Sequence, residues 1–543
     1  MGPFAGTLLS FGLAFFAGRQ VVALLWPAHL SDWSHRMLRL VTSFGIGVGI
    51  ASATNFLSIL IVGRASQAII TVDCLLLAIS FAVGRWLRRP SASAGHLSAR
   101  VKPLATLVWL AFAAAALATV GTVLLRVHDG AWDAIAIWNL HAQFLTARST
   151  GAWKALFDPT MMDTHPDYPL LIPAFVARGW TYVGHSIPLV PMALAWLFTA
   201  ALLVLLTAAV SESRGRWHGA LACATIASSP VFLGTALSQY ADMPLAFYFL
   251  LTIVLLHLAD RGTKPSAGLY TLAGVAASMA AFTKNEGSLF IVALVGGRIS
   301  YVLIAGGLAG NARRLAWVIV GAMPILAVLL VFKSLTPPNY LLTANSDHVW
   351  KKLLARPRVL LILEELENEM LRPHSFSVGF VQRIRGWNWH LLATSLFVLI
   401  VGIDHRRLLS KISVVAICVA AIGMITDVLI IWKMTGSAGF HWSVAFATAL
   451  VTVAMGFDLA LLRRASFLAP ALTLLVINVG YFSVYLATPL DLRWQLKFSI
   501  ERILFHTMPL TVFLAFLLLP MWRRVRYQNG THVPITVSAN RLQ

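Results

Sequence analysis

Apolar runs of about twenty residues recur along the whole chain, separated by short polar joints. A helix of that length crosses the hydrocarbon core of a bilayer with its backbone hydrogen bonds satisfied internally. The pattern predicts about fifteen spans, at 3–26, 38–62, 66–87, 104–126, 187–210, 217–237, 242–259, 267–283, 287–306, 315–335, 389–403, 412–432, 442–462, 466–488 and 505–521. The expected fold is therefore an all-α polytopic membrane protein. It divides into N-terminal spans (1–103), a central span region (104–335) with a long loop at 127–186, a second long loop (336–388), C-terminal spans (389–526) and a tail (527–543).

Composition strengthens that picture. Hydrophobic residues make up 58% of the 543 positions and charged residues only 12%, with a mean hydropathy of +0.78, which excludes a water-soluble globule. The net charge of +21 would suggest nucleic acid in a soluble protein. Here the basic residues sit in the joints between spans, so no nucleic-acid partner is expected and membrane lipids are. Cys74, Cys223 and Cys418 lie in separate apolar runs, as small core residues rather than disulfide or thiolate metal sites. The first apolar run lacks a basic segment before it and a small-residue cleavage site behind it, so it is expected to be a retained span.

Lys and Arg orient the spans. Arg85, Arg88, Arg89, Arg100 and Lys102 share one joint, and alternate later joints carry Arg214 and Arg216, Arg261 and Lys264, Arg313 and Arg314, Arg406, Arg407 and Lys411, Arg463 and Arg464, and Arg523, Arg524 and Arg526. These joints are expected on the cytoplasmic side. Most acidic residues then fall on the opposite, outer face, including Asp129, Asp133, Asp158, Asp163, Asp167, Asp242, Glu286, Asp491 and Glu501. Both long loops belong to that face as well. Each is rich in Trp, Leu and Pro, unlike a disordered linker.

The first loop opens with HDGAWDAIAIWNLHAQFL, His128 to Leu145. Trp132, Ile135, Trp138, Leu140 and Phe144 predict a short amphipathic helix at the membrane surface, with Asp133 near its start. Backbone N–H groups there favour an ionised carboxylate, which suits a general base and equally suits a helix cap. HPDYPLLIP, His165 to Pro173, is stiffened by its prolines and reads equally as a helix-entry turn. In the last segment Gln495, Ser499, Arg502 and His506 fall on one helix face, as if lining a cavity. Arg493 and Lys497 either join them or snorkel, with Lys497 paired to Glu501. In the second loop, Trp350 to Pro373 reads as an interfacial segment, either a lid or a solvated surface helix. Trp387, Asn388, Trp389 and His390 suit an interfacial aromatic belt or sugar stacking. Asp73 and Asp427 fall inside spans, where an ionisable side chain is costly.

Taken in order, the acid after a span, the juxtamembrane helix, the His-Pro…Pro-Leu segment, SQYADMPLAFYF with Asp242 and FTKNEGSLF with Lys284 and Glu286 resemble the GT-C superfamily of membrane glycosyltransferases. The protein O-mannosyltransferase and aminoarabinose-transferase branch is the most similar. The resemblance covers residues 104–335, and the stretch Tyr485 to Pro509 resembles a C-terminal pattern in bacterial membrane proteins assigned to the same superfamily. In this chain Ala134 follows the acid where the protein mannosyltransferases carry Glu, and three additional spans precede it.

The resemblance implies inverting transfer of a sugar from a polyprenyl-phosphate donor to a hydroxyl of a lipid, glycan or protein acceptor at the outer face. Asp133 is then the expected catalytic base. Asp129 is its alternate, as the base itself, as an orienting group or as a metal contact. Lys284, Arg493, Lys497 and Arg502 are candidates for the departing phosphate. Substrate-side roles extend to His165, Asp167, Tyr168, Asp242, Glu286 and His506. For Asp242 a helix cap, and for Lys284 with Glu286 a hairpin pair, are the plain alternatives. No essential cofactor or metal is expected, because HExxH, paired-Cys and clustered-His patterns are missing, although Asp129 and Asp133 could contact a divalent cation.

The rival functions are a lipid or sugar transporter or flippase, a polysaccharide polymerase or ligase, and a structural subunit. No internal repeat or matching pair of broken helices is evident, and the acids gather on one face instead of at the midplane. An Arg-over-Lys bias and abundant Ala point to a bacterial inner membrane, with the active face towards the periplasm or exterior.

Overall fold

The computed structural model describes residues 2–87, 103–262, 266–338, 349–371, 375–377, 383–385, 461 and 463–519. Apart from one three-residue antiparallel strand pair, Ser375–Ser377 with Arg383–Arg385, the described elements are helical. The first four are α1 (Pro3–Leu25), α2 (Trp33–Val62), α3 (Ala68–Leu87) and α4 (Pro103–Leu124). The first long loop then holds a π-helical turn (Ala134–Asn139) running into α5 (Leu140–Leu145), and α6 (Leu171–Val183). There follow α7 (Leu189–Arg214), α8 (Arg216–Ala227), α9 (Pro230–Ser238), α10 (Asp242–Arg261), α11 (Ala267–Thr283), α12 (Asn285–Ala305) and α13 (Leu308–Leu335). The second loop contributes α14 (Val349–Leu353) and α15 (Arg356–Leu371), and the chain closes with α16 (Ala465–Ala487) and α17 (Leu492–Leu518).

Among the described residues ten helices are long and apolar enough to cross a membrane, or eleven with the bent pair α8–α9 taken as one span. The protein is thus a multi-pass membrane protein by length and composition. Two of the expected spans change. The span at 217–237 is two helices meeting at 67°, because Ser229 caps a new helix whose first residue is Pro230. The helix at 267–283 has the expected bounds, and its 17 residues are at the short end of what crosses a bilayer. The last span, expected from 505, belongs to a helix that begins at Leu492, where Asp491 accepts a bond from the Trp494 backbone N–H. The spans expected at 389–403, 412–432 and 442–462, together with Trp387–His390, Cys418, Asp427 and the tail, lie outside the described residues, except for residue 461.

α10 is the axle of the bundle. Its membrane-crossing stretch is wholly buried among α7, α11, α16 and α17. The N-terminal helices join the same core: Tyr248 of α10 donates to the Gly45 carbonyl of α2 (2.8 Å), and Asn55 of α2 donates to the Ala174 carbonyl of α6 (3.0 Å). α1 and α2 lie backbone to backbone, since a methyl group on Gly18 or Gly47 would strike the facing main chain, the close approach that membrane helices use to gain packing.

Although it was expected as part of an outer loop, α6 is buried along almost its whole length. It carries Arg178, fully buried, whose Nε donates to Asp73 of α3 (2.7 Å). The remaining guanidinium donors reach Ser10 of α1 (2.8 Å to its carbonyl) and Tyr182 (3.1 Å), and Tyr182 donates to the same Asp73 oxygen (2.6 Å). Asp73 is therefore paired, and it ties the otherwise lipid-facing α3 to the core. α14 and α15 cap α16 from outside: Arg358 of α15 donates to the carbonyls of Leu486 and Tyr485 (both 3.1 Å), and Lys352 of α14 to that of Thr488 (3.1 Å). These carbonyls have no partner inside their own helix. On α15, Ile362 packs against Leu492, Leu496 and Ile500 of α17.

Removing one partner of a buried ion pair strands the other, a loss of about 3–5 kcal/mol. Arg178→Ala and Asp73→Ala are each expected to lower thermal stability in detergent on that scale, whereas the apolar double variant Arg178→Met/Asp73→Leu recovers much of it. A double variant as unstable as the singles contradicts the pairing.

Candidate active site

Six of the residues singled out in the sequence meet at the loop end of the bundle. Their focus is Asp242, the first residue of α10, with a fully buried side chain. Burial makes an unpaired carboxylate prohibitively costly, and here both oxygens are satisfied. Oδ1 accepts from Lys284 Nζ (2.9 Å) and lies 2.6 Å from His506 Nε2. Oδ2 accepts from Arg502 Nε (2.9 Å), with Arg502 Nη2 at 2.9 Å from the same oxygen. An ionised Asp242 can only accept, so His506 Nε2 carries a proton. The imidazole's Nδ1 lies 3.4 Å from the Tyr481 hydroxyl.

The network reaches the rim through Arg502. Its Nη1 donates to Asp133 Oδ2 (2.7 Å), the two side chains being 25% and 20% exposed. Asp133 directly precedes the π-helical turn but makes no side-chain cap bond, so the helix-cap alternative is not realised. Its backbone N–H donates to the Tyr240 hydroxyl (3.3 Å), and the Arg502 guanidinium lies 4.5 Å from the Tyr240 ring centroid. Among the described residues Asp133 Oδ1 has no hydrogen-bond partner. Asp242 is not a helix cap either: it is the first helical residue, and Ala241 holds the N-cap position. Lys284 does contact Glu286 (2.9 Å), and the expected hairpin pair exists, but Lys284 serves Asp242 at the same time.

Local geometry explains why these segments can meet. Gly130 has φ of +76° and faces Ala134 and the Ser238 carbonyl so closely that a Cβ would lie 2.8 Å from each. Only glycine suits both demands, and the close approach seats the Asp133 turn on the end of α9. Gln239, at φ 59°, ends α9 in the left-handed region and donates to the His128 carbonyl (2.9 Å). The main chain thereby turns from α9 into α10 with Asp242 at the corner.

The HPDYP segment borders this cluster. His165, at φ 55°, stacks on Tyr168 (4.6 Å), which stacks on Trp138 of the π-helical turn (5.6 Å). Asp167 is buried and accepts from Asn285 Nδ2 (2.7 Å). Lys333 donates to the Asp167 carbonyl (2.6 Å) and to Asn285 (2.8 Å). Asp167 thus pins its loop to the residue between Lys284 and Glu286, and α6 follows directly, as a helix-entry turn requires. Burial lowers the His165 imidazole below its ordinary range although Asp167 and Asp133 pull it upward, so it is neutral near pH 7. Burial raises the Tyr168 and Tyr240 phenols, which therefore stay protonated and available as donors.

Three candidates stand apart. Asp129 is exposed and paired with its neighbour His128 (2.9 Å). Arg493 is exposed on the first turn of α17, about 13 Å along the helix from Arg502 at its usual rise per residue. Lys497 is exposed beside the Phe498 ring (5.4 Å). Of the polar stripe on α17, Ser499 meets the Tyr485 hydroxyl (2.9 Å), while Arg502 and His506 enter the network. Lys333, Asn285, Tyr240 and Tyr481 were not singled out by sequence. Among the described residues no group of three or more His, Cys, Asp or Glu side chains is placed to hold a metal ion.

No protein-family profile matches the chain, and neither curated proteins nor solved structures match it. The site therefore has to be read from its own chemistry: a rim carboxylate with one open oxygen, a guanidinium shared between two carboxylates, and a buried Lys–Asp–His core behind them.

Asp242→Asn leaves the buried Lys284 and the part-exposed Arg502 undercompensated and is expected to cost about 3–5 kcal/mol of stability. Asp133→Asn, at the part-exposed rim, is expected to cost about 1 kcal/mol or less. Thermal unfolding of the two variants tests this ranking. Acid provides a second check. Burial lowers His141, on α5, from 6.5 to about 4, so the unfolded chain takes up a proton there first. Its contribution is complete above pH 6.5 and is lost as pH falls towards 4, by about 3 kcal/mol in total. His141→Leu is expected to flatten the unfolding curve over that window; an unchanged slope contradicts the assignment.

Proposed function

We propose that the protein is a membrane glycosyltransferase that moves a sugar from a polyprenyl-phosphate donor to an acceptor hydroxyl at the loop end of the bundle, on the outer face of a bacterial inner membrane. The supporting observation is the convergence of Asp133, Asp242, Lys284, Glu286, Arg502 and His506, from segments far apart in sequence, at the positions where the GT-C resemblance expects substrate contacts. Fixed charges held at a membrane surface suit a reaction that separates charge there.

In this reading the acceptor oxygen attacks the anomeric carbon from the face opposite the phosphate. As the new C–O bond forms, the bond to the phosphate oxygen breaks and its electron pair leaves with the lipid phosphate, inverting the anomeric centre. Asp133, through its open oxygen, takes the acceptor proton. Arg502 faces the charge growing on the phosphate, and Lys284 holds Asp242 so that Arg502 is presented at the rim. His165 and Tyr168, stacked on Trp138, form an aromatic wall with polar edges, suited to a sugar ring. No step requires a metal.

A carrier is the second reading, favoured by the broken helix pair α8–α9, since interrupted spans accompany transport sites. The pair ends beside Gln239 and Asp133, so the break also serves to shape the proposed site.

With radiolabelled polyprenyl-phosphate sugars and reconstituted protein, label is expected to pass to acceptor, and Asp133→Asn is expected to lower turnover by about 10²–10⁴-fold with its fold retained. Equal turnover by the variant removes Asp133 as base. Label that crosses the vesicle without changing chemical form establishes the carrier instead.

A further inference from the structure

Arg502 has three engaged donors and two carboxylate clients of different character. Nε and Nη2 hold Asp242, which is wholly buried and also bound by Lys284 and His506. Nη1 holds Asp133, and this contact is the part-exposed one. Three carboxylates, Asp133, Asp242 and Glu286, face only two permanent cations, Lys284 and Arg502. A phosphate entering this cluster adds further negative charge, and it is accommodated only by taking a cation from a carboxylate. Lys284 is buried between Asp242 and Glu286, so the Arg502–Asp133 contact is the exchangeable one.

The surroundings favour that exchange. A guanidinium matches a phosphate with paired N–H groups better than it matches one oxygen of a single carboxylate. Arg502 keeps its seat when Asp133 departs, because Asp242 holds its Nε and Nη2 and the Tyr240 ring lies under its plane. Asp133 is free to move, since its carboxylate has no other described partner and it precedes a π-helical turn. Such turns are short insertions that recur at functional sites.

We infer that Asp133 and the phosphate of an incoming lipid compete for Arg502 Nη1, so that donor binding releases the base. This inference rests on the glycosyltransferase reading. While Arg502 holds it, one of the two carboxylate oxygens is engaged by the guanidinium. When the phosphate takes the guanidinium, Asp133 loses that cation and gains a neighbouring anion, and both changes strengthen it as a base. The donor thus frees the base that the acceptor hydroxyl needs, and Arg502 holds that base whenever no phosphate is bound. The alternative is a static one: Arg502 stays on Asp133 Oδ2 throughout and only aims Oδ1.

Carbodiimide modification of Asp133, followed by peptide mass spectrometry across pH, separates the two. The full-length protein in nanodiscs is titrated with and without a short-chain prenyl phosphate, whose binding is measured independently by calorimetry. The midpoint pH of modification, which reports the carboxyl pKa rather than access, is expected to rise by about one unit or more when the phosphate binds. Arg502→Gln is expected to show the raised midpoint without ligand and no further change, with Arg502→Lys as the charge-retaining companion should the first variant fold poorly. A bound prenyl phosphate with an unmoved midpoint overturns the exchange and leaves glycosyl transfer standing with Arg502 as a positioning residue. Failure of prenyl phosphate to bind overturns the donor reading, and the exchange with it.

Discussion

A carboxylate with no exposed surface at the head of a fully buried helix is the constraint around which this site is organised. Asp242 cannot remain ionised there without cations, nor can Lys284 be buried without a carboxylate. Satisfying all of them fixes the α11–α12 junction, the middle of α17 and the first turn of α10 at one point. Through Arg502 the same constraint reaches the Asp133 turn, and through Asn285 the HPDYP loop. The site is less a surface decoration than the condition under which these segments pack.

The opposite end of α10 shows the contrast. The Asp260 side chain is buried there and faces the Tyr270 hydroxyl (2.6 Å), Arg298 (2.7 Å) and Arg314 (3.6 Å), and Glu212 pairs with Arg261 (2.6 Å). Those groups join helices to one another. At the loop end the outermost member of the network is a part-exposed carboxylate beside a stacked aromatic wall, the arrangement expected where a substrate is admitted.

Hydropathy alone located most of the described helices, because a twenty-residue apolar run has few alternatives in a bilayer. It missed the bend between α8 and α9, since Ser229 and Pro230 sit inside a run that is apolar throughout. It also placed α6 on the surface, because one arginine and short length disguised a buried helix. That error hid the partner of Asp73, which lies 105 residues away on α6. The members of the site were legible as unusual polar residues at span ends, but their pairing was not. Asp242 and Arg502 are separated by 260 positions, and no periodicity links them. Asp133, Asp242 and Glu286 each had an ordinary local explanation that only the three-dimensional contacts could weigh. Lys333 left one signal that could have been used, a lysine in the last turn of an apolar span, where a cation needs a reason to be.

The central claim is that a prenyl phosphate binds at the loop end, between the Asp133 turn and α17. Photo-crosslinking with a diazirine placed next to the phosphate of a polyprenyl-phosphate sugar, mapped by mass spectrometry in the membrane-embedded protein, tests it most directly. The account predicts adducts concentrated on residues flanking Asp133, Tyr240 and Arg502, competed away by unlabelled polyprenyl phosphate. Adducts at the Asp260 end, or spread evenly along the lipid-facing helices without competition, would contradict it.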